Sequence, residues 1–328
     1  MREAMLYDQL DNGTVQCKAC IRECAIAQGD HGFCKTRTNV NGKLFAPYYG
    51  YFSGINTGPL DAKPFIHFKD PDTGDHYKGD EIALSIGGFG CNFICKGCQN
   101  VSVSQANGTV DTTQKIYTPQ DIISRAKKEG VRVIAFTWNE PAIMPEIVYD
   151  IAKLAHENGF KVAYVCNGTP TKEHLDLILP YVDAFRYDIK AGPHVGDPFY
   201  EDYCDLKIGS SVDKILETIK YTQEKGKHIE LLTVLIPGQE PSAKRSILNT
   251  AKWIKENLKE GTPWHLAKFF PANKMKSPEF KTPDELIDLC VDLAVSNYGL
   301  KNVYAVKDKG CDCLKQGLAP ASSCSCCH

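Results

Sequence analysis

Three thiols in "GCNFICKGCQN", Cys91, Cys95 and Cys98, are spaced C-x3-C-x2-C. Thiolates are strong ligands for iron and zinc, and a site closed by protein alone normally has four donors. Three can hold three irons of a four-iron cluster and leave the fourth open to a small molecule. An open position is what separates a working metal from a structural one. The alternative for this spacing is a zinc or four-cysteine centre whose fourth ligand lies elsewhere in the chain.

Two further groups carry metal chemistry. Cys17, Cys20, Cys24 and Cys34, spaced C-x2-C-x3-C-x9-C, offer four sulfurs and no obvious vacancy. Zinc and iron, including an iron–sulfur cluster, both suit four thiolates. The site is read either as a staple folding a module that lacks its own core or as an auxiliary electron-transfer cluster. Cys311, Cys313, Cys324, Cys326, Cys327 and His328 crowd the final segment "CDCLKQGLAPASSCSCCH". They are read as a further metal or auxiliary cluster site, a cover over the active-site mouth, or ligands to a corrinoid such as cobalamin. Cys166, Cys204 and Cys290 stand alone. Cys204 is either a hydrogen donor facing the site or a buried free thiol.

The chain has 328 residues, 43% of them hydrophobic, enough for one large domain or one large and one small. A formal charge of -2 argues against nucleic-acid binding. "MREAMLYDQLDNG" has no apolar stretch, and no segment approaches the roughly 18 apolar residues of a membrane span. A soluble, cytoplasmic protein is expected, and the clumped cysteines, twelve of the fifteen, are read in a reducing compartment as metal ligands rather than disulfides.

These ligands need a scaffold. Strands are predicted at 81–86, 131–137, 160–165, 182–188, 228–235 and 264–270, with a seventh at 302–306. Amphipathic helices separate them: "TPQDIISRAKKEG" (118–130) opens on a Thr cap and Pro and closes on Gly. "PEIVYDIAKLAHENG" (145–159) and the segments 210–226, 242–261 and 282–299 repeat the design. Strict alternation predicts a parallel α/β sheet, a partial (β/α)6 TIM-like barrel. The expected division is a small N-terminal four-cysteine metal-binding module over 1–79, the barrel over 80–308 and a Cys-rich C-terminal tail over 309–328.

The three-thiol loop follows the first barrel strand through "GGFG" (87–90), at the sheet edge where such folds place their chemistry. On that basis the sequence resembles the radical S-adenosylmethionine (SAM) superfamily. Within it, the chain is similar to the AmmeMemoRadiSam-system radical SAM enzymes, relatives of the pyruvate formate-lyase activating enzymes. The motifs are "CKACIRECAIAQGDHGFCKTR", "AKPFIHF", "GCNFICKGCQN", "WNEPAI", "KLAHENGFKVAYVCNG", "DIKAG", "FYEDYC" and "TPWHLAKFFP", from about 17 to 306. The resemblance implies that Cys91, Cys95 and Cys98 hold a [4Fe–4S] cluster. SAM chelates the open iron, and reduction cleaves its sulfonium to a 5′-deoxyadenosyl radical. It further implies Glu140 at the SAM amino group and Asn167, Asp188 and Lys190 at the ribose and carboxylate. The "TVLIPG" backbone resembles the adenine shelf, and His265 faces the same mouth.

One departure concerns the residue before the third cysteine, usually aromatic and packed near the adenine, which here is Gly97. Phe93 or the region of Ile236 is then expected to supply the stacking surface. The tail is a second departure. The leading expectation is an enzyme that abstracts hydrogen from a carbon of a protein or peptide, supplied by a low-potential electron donor. A cobalamin-dependent radical SAM C-methyltransferase and a non-catalytic iron–sulfur or zinc carrier are the rivals.

Overall fold

The computed structural model describes residues 1–69, 74, 81–105, 110 and 113–307. The tail cysteines and His328 lie outside the described residues. Six short strands open the chain: β1 (Arg2–Glu3), β2 (Tyr7–Gln9), β3 (Val15–Cys17), β4 (Ala25–Ile26), β5 (Thr38–Val40) and β6 (Lys43–Ala46). They form two antiparallel three-stranded sheets, β2-β3-β4 and β1-β6-β5.

The later strands are β7 (Gly54–Pro59), β8 (Ile82–Gly87), β9 (Val133–Phe136), β10 (Lys161–Cys166), β11 (Ala184–Asp188), β12 (His228–Leu235), β13 (Trp264–Lys268) and β14 (Val303–Val306). They make one sheet in the order β14-β13-β12-β11-β10-β9-β8-β7. β8, β9 and β10 pair in parallel, as do β12, β13 and β14. The end strands β7 and β14 are not neighbours, so the barrel is partial and open. All seven predicted strands are present, and β7 is an addition at the edge.

The helices are α1 (Val101–Ser104), α2 (Pro119–Glu129), α3 (Pro145–Glu157), α4 (Lys172–Ile178), α5 (Asp197–Cys204), α6 (Ser211–Glu224), α7 (Lys244–Asn257) and α8 (Asp284–Tyr298). The start of α2 follows its sequence: Thr118 and Asp121 form a capping box around Pro119, and Gly130 ends the helix at φ 67°. β9 is buried at all four residues, which is why it reads as a continuous apolar run rather than an alternating one.

The described residues group into two compact units. The first comprises Met1–Thr57, Ile82–Ile94 and Asn100–Ala184; the second comprises the described parts of Gly58–Glu81, Cys95–Gln99 and the chain from Phe185. In the first, Val15, Ala19, Ile26 and Leu44 form a small core. Beside it Arg37 makes a fully buried, two-pronged ion pair with Glu146, at 2.8 and 3.1 Å. In the second, Glu230 is fully buried and accepts from the main-chain N–H groups of Ile66 and His67, at 3.2 and 2.8 Å. Among the described residues no helix is long and apolar enough to cross a membrane.

Candidate active site

In the first unit, the chain leaves β8 and turns through 88–90 into Cys91. Asn139, just past β9, holds this turn: its Oδ1 accepts from Gly88 N at 2.8 Å and its Nδ2 donates to Gly90 O at 3.2 Å. Gly90 has φ +83°, and a Cβ there would lie 2.7 Å from the Cys34 carbonyl oxygen, so the close approach requires glycine. Trp138 adopts φ +71°, a strained conformation for a bulky residue of the kind that clusters at functional sites. Asn100 Nδ2 donates to its carbonyl at 2.9 Å.

Asn92, beside Cys91, is fully buried and organises the loop. Its carbonyl accepts from Arg22 Nε at 2.6 Å, its Oδ1 accepts from Asn167 Nδ2 at 2.8 Å, and its Nδ2 donates to Thr169 Oγ1 at 2.7 Å. Glu140 is drawn into the same set. Its Oε2 accepts from Asn167 N at 2.7 Å and its Oε1 from Ala142 N at 2.9 Å, capping the turn Pro141–Ile143. Two predicted residues, Glu140 and Asn167, thus stand together. Phe93 is buried.

In the second unit, Cys95 and Cys98 sit with the C-terminus of α5. Cys204 is the last residue of α5; it is fully buried, with its sulfur 3.7 Å from that of Cys95. That contact is the main cause of a lowered Cys95 pKa; burial opposes it and the charge of Lys190 assists. Lys96 N donates to Tyr203 O at 3.0 Å and Asn273 Nδ2 to Cys95 O at 3.2 Å, pinning the loop from two sides. A Cβ at Gly97 would meet the Phe269 ring at 2.6 Å and the Tyr203 hydroxyl at 2.7 Å. The room of the expected aromatic is therefore filled by Phe269 and Tyr203.

Asp188 closes β11. Lys190 Nζ donates to its Oδ2 at 2.8 Å, and Arg186 Nη2 stands 2.8 Å from Oδ1 as an ion pair without hydrogen-bond alignment. Burial works to raise the Asp188 pKa, but the charges of Arg186 and Lys190 hold it below its ordinary value. Burial likewise opposes the Lys190 charge, and Asp188 with Cys95 pushes its pKa well above the ordinary value. Asp188 Oδ1 and Arg186 Nε are buried with no hydrogen-bond partner. These atoms fit a polar ligand.

His265 goes elsewhere. It is the second residue of β13, near the strand's N-terminal end rather than its chemistry-bearing C-terminal edge. There its Nε2 meets Glu230 Oε2 at 2.7 Å, and His228 Nε2 meets Oε1 at 2.9 Å. A buried carboxylate that collects imidazole and amide donors anchors its surroundings, which makes His265 a satisfied core histidine. Burial would raise the Glu230 pKa, but these bonds push it down to about 2.

Cys17, Cys20, Cys24 and Cys34 line one cavity in the first unit. Among the described residues no three His, Cys, Asp or Glu side chains stand in single-ion geometry. A four-iron cluster spreads its thiolates over separate irons, so the three-thiol loop needs no such convergence. Its donor set fits the cluster.

The Radical SAM superfamily description matches residues 85–251, the stretch holding this loop and the ends of β9, β10 and β11. The chain belongs to the radical SAM superfamily. An uncharacterised protein of Methanocaldococcus jannaschii is 34% identical over 304 residues, covering 93% of this chain and 84% of that protein. A second protein of that organism, provisionally named a glycyl-radical enzyme activating enzyme, is 25% identical over 170 residues, covering 51% and 66%. Among solved structures, the FeFe-hydrogenase maturase HydG from Carboxydothermus hydrogenoformans superposes with a TM-score of 0.50 at 11% identity. It covers 74% of this chain and 67% of that chain, a likeness of fold alone.

Membership makes the chain an enzyme with a [4Fe–4S] cluster and SAM, and the non-catalytic carrier reading gives way. Sequence reasoning missed Asn92, Asn139 and Thr169 in this radical SAM site. "WNEP" and "CNG" carry conspicuous amides, but which turn each amide holds is decided by the tertiary fold.

Proposed function

We propose that this radical SAM enzyme abstracts hydrogen from a carbon of a protein or peptide substrate in the reducing cytoplasm, fed by a low-potential electron donor. The observation carrying the reading is the three-thiol loop directly after β8, whose Cys95 lies against Cys204 with Asp188 and Lys190 close enough to act on it. The similarity to a protein named for glycyl-radical enzyme activation supports a polypeptide target.

Cys91, Cys95 and Cys98 would hold the cluster, which when bound supplies the electron that splits the SAM sulfonium. The chain's own groups do the positioning. Asp188 keeps an unmatched oxygen for a donor on the cofactor, and Lys190 steadies that carboxylate. Glu140, committed to two main-chain amides, orients Asn167 and retains lone pairs for the methionyl ammonium. Cys204, enclosed against Cys95, is placed to hydrogen-bond that ligand's sulfur rather than to reach a substrate carbon. The segment that motivates the methyltransferase alternative lies outside the described residues.

The test is anaerobic reconstitution with dithionite and SAM. The wild type should release 5′-deoxyadenosine and, with a deuterated peptide substrate, incorporate the label into it. SAM cleavage by Cys95→Ala at the wild-type rate would refute the assignment.

A further inference from the structure

The strained Trp138 stands one residue before Asn139 and two before Glu140, yet the chemistry above gives it no role. Thr137, whose N–H donates to Ile86 O at 2.9 Å, still runs alongside β8. At Trp138 the chain turns: φ is +71°, and Asn139 N donates back to Thr137 O at 3.0 Å. A bond that skips one residue, closed over a left-handed φ, is the γ-turn of the rare and strained hand. Glycine adopts such a φ freely, whereas a bulky aromatic keeps it only where its surroundings over-determine it.

The surroundings here are two glycines. A Cβ at Gly54, which opens β7, would lie 2.8 Å from the Trp138 ring, and one at Gly87, which ends β8, would lie 2.5 Å from it. Neither glycine has a positive φ, so the ring and not the backbone excludes a side chain from both places. The half-buried indole is seated across the two strands, and Asn100 holds the carbonyl behind it. Directly after the turn come groups whose direction matters. Asn139 spans Gly88 N and Gly90 O on the way to Cys91, and Glu140 accepts from the Asn167 amide.

We infer that Trp138 is a positioning residue for SAM: its indole, seated against Gly54 and Gly87, holds the γ-turn in one conformer and so aims Glu140 at the methionyl ammonium. The inference rests on the reading of Glu140 as the group that takes that ammonium. Freeing the turn lowers the fraction of chains ready to bind, and the apparent affinity for SAM falls with that fraction.

The test is anaerobic calorimetry of SAM binding to the full chain with its cluster oxidised, a form that lacks the electron needed to split SAM. Trp138→Phe, which keeps a ring, should stay within about threefold of the wild-type Kd. Trp138→Gly, which frees the turn, should raise the Kd about tenfold. Trp138→Ala must hold the same φ with no ring behind it and should raise the Kd about a hundredfold. Gly54→Ala removes nothing but displaces the indole, so it should match Trp138→Gly, and it decides the matter if the variants at 138 do not fold. A tryptophan that only packs would lower the Tm of these variants and leave the Kd unchanged. Equal losses in the glycine and alanine variants would mean that the turn plays no part. Either result overturns the inference. Glu140→Gln tells its failure from that of the reading beneath it. If Glu140→Gln weakens SAM binding and the other variants do not, the role of Trp138 alone falls. If Glu140→Gln binds SAM as the wild type does, the Glu140 assignment falls and takes the inference with it.

Discussion

Around Cys17, Cys20, Cys24 and Cys34 the polar groups turn inward: main-chain amides, the Thr36 hydroxyl and a guanidinium backed by Glu146 surround the sulfurs. Around Cys95 and Cys98 the pattern is different. Thiol meets thiol at Cys204, and the nearby Asp188 and Arg186, an ion pair at 2.8 Å, keep buried atoms without a hydrogen-bond partner. Arg37 Nε, beside the first group, is also buried without a hydrogen-bond partner, though Glu146 holds the other nitrogens of its guanidinium. A buried group left unbonded costs about 1–3 kcal/mol. The two regions therefore differ in degree: one such atom stands at the first, and Asp188 Oδ1 and Arg186 Nε at the second.

The contrast breaks most visibly at the open loop. Cys95→Ala should lower SAM cleavage at least about a thousandfold, roughly 4 kcal/mol in barrier, measured as 5′-deoxyadenosine released. The Tm should stay near wild type; a collapse of the fold instead would mean that this loop is also a staple. Next is the buried pair behind the closed site. Arg37→Met strands the Glu146 carboxylate and should cost about 3–5 kcal/mol in urea unfolding. Arg186→Met leaves Asp188 paired with Lys190 and should cost less than half of that. Equal losses would erase the distinction.

A pH series sharpens the comparison further. His174, buried in the first unit with Nδ1 2.8 Å from the Ala19 carbonyl oxygen, has its pKa pushed down from 6.5 to about 4, chiefly by burial. The unfolded chain takes up this proton below 6.5 and the folded chain only near 4, so stability should fall across that window, by up to roughly 3 kcal/mol. Glu230 acts lower down: its stabilisation is present above 4.5 and is lost as pH falls toward 2. His174→Gln should flatten the upper limb of urea midpoint against pH and leave the lower one. The smallest effect is expected from Gly97→Ala, about 1–3 kcal/mol through crowding of Phe269, relieved in part by Phe269→Leu.

Much of the scaffold was legible because its strands are long apolar runs and its long helices carry caps and a clear period. α4 and α5 were not. Lys172–Ile178 has seven residues, and Asp197–Cys204 mixes aromatic and acidic side chains with no apolar stripe. Their helicity comes from tertiary packing, which is why neither stands among the predicted helices. The spacing of the N-terminal cysteines singled out four thiols that do line one cavity. His265 misled because alternation shows which face a strand residue occupies, not which end of the strand it belongs to. The hub at Asn92 was invisible for a related reason: its partners Arg22, Asn167 and Thr169 are far apart in sequence.

The contact between Gly97 and Phe269 bears on how this chain can be re-engineered. The space beside Gly97 is taken by the ring of Phe269, the residue just past β13. Grafting a loop with its own aromatic into this protein would put two rings in one berth, so a working chimera must exchange both segments together.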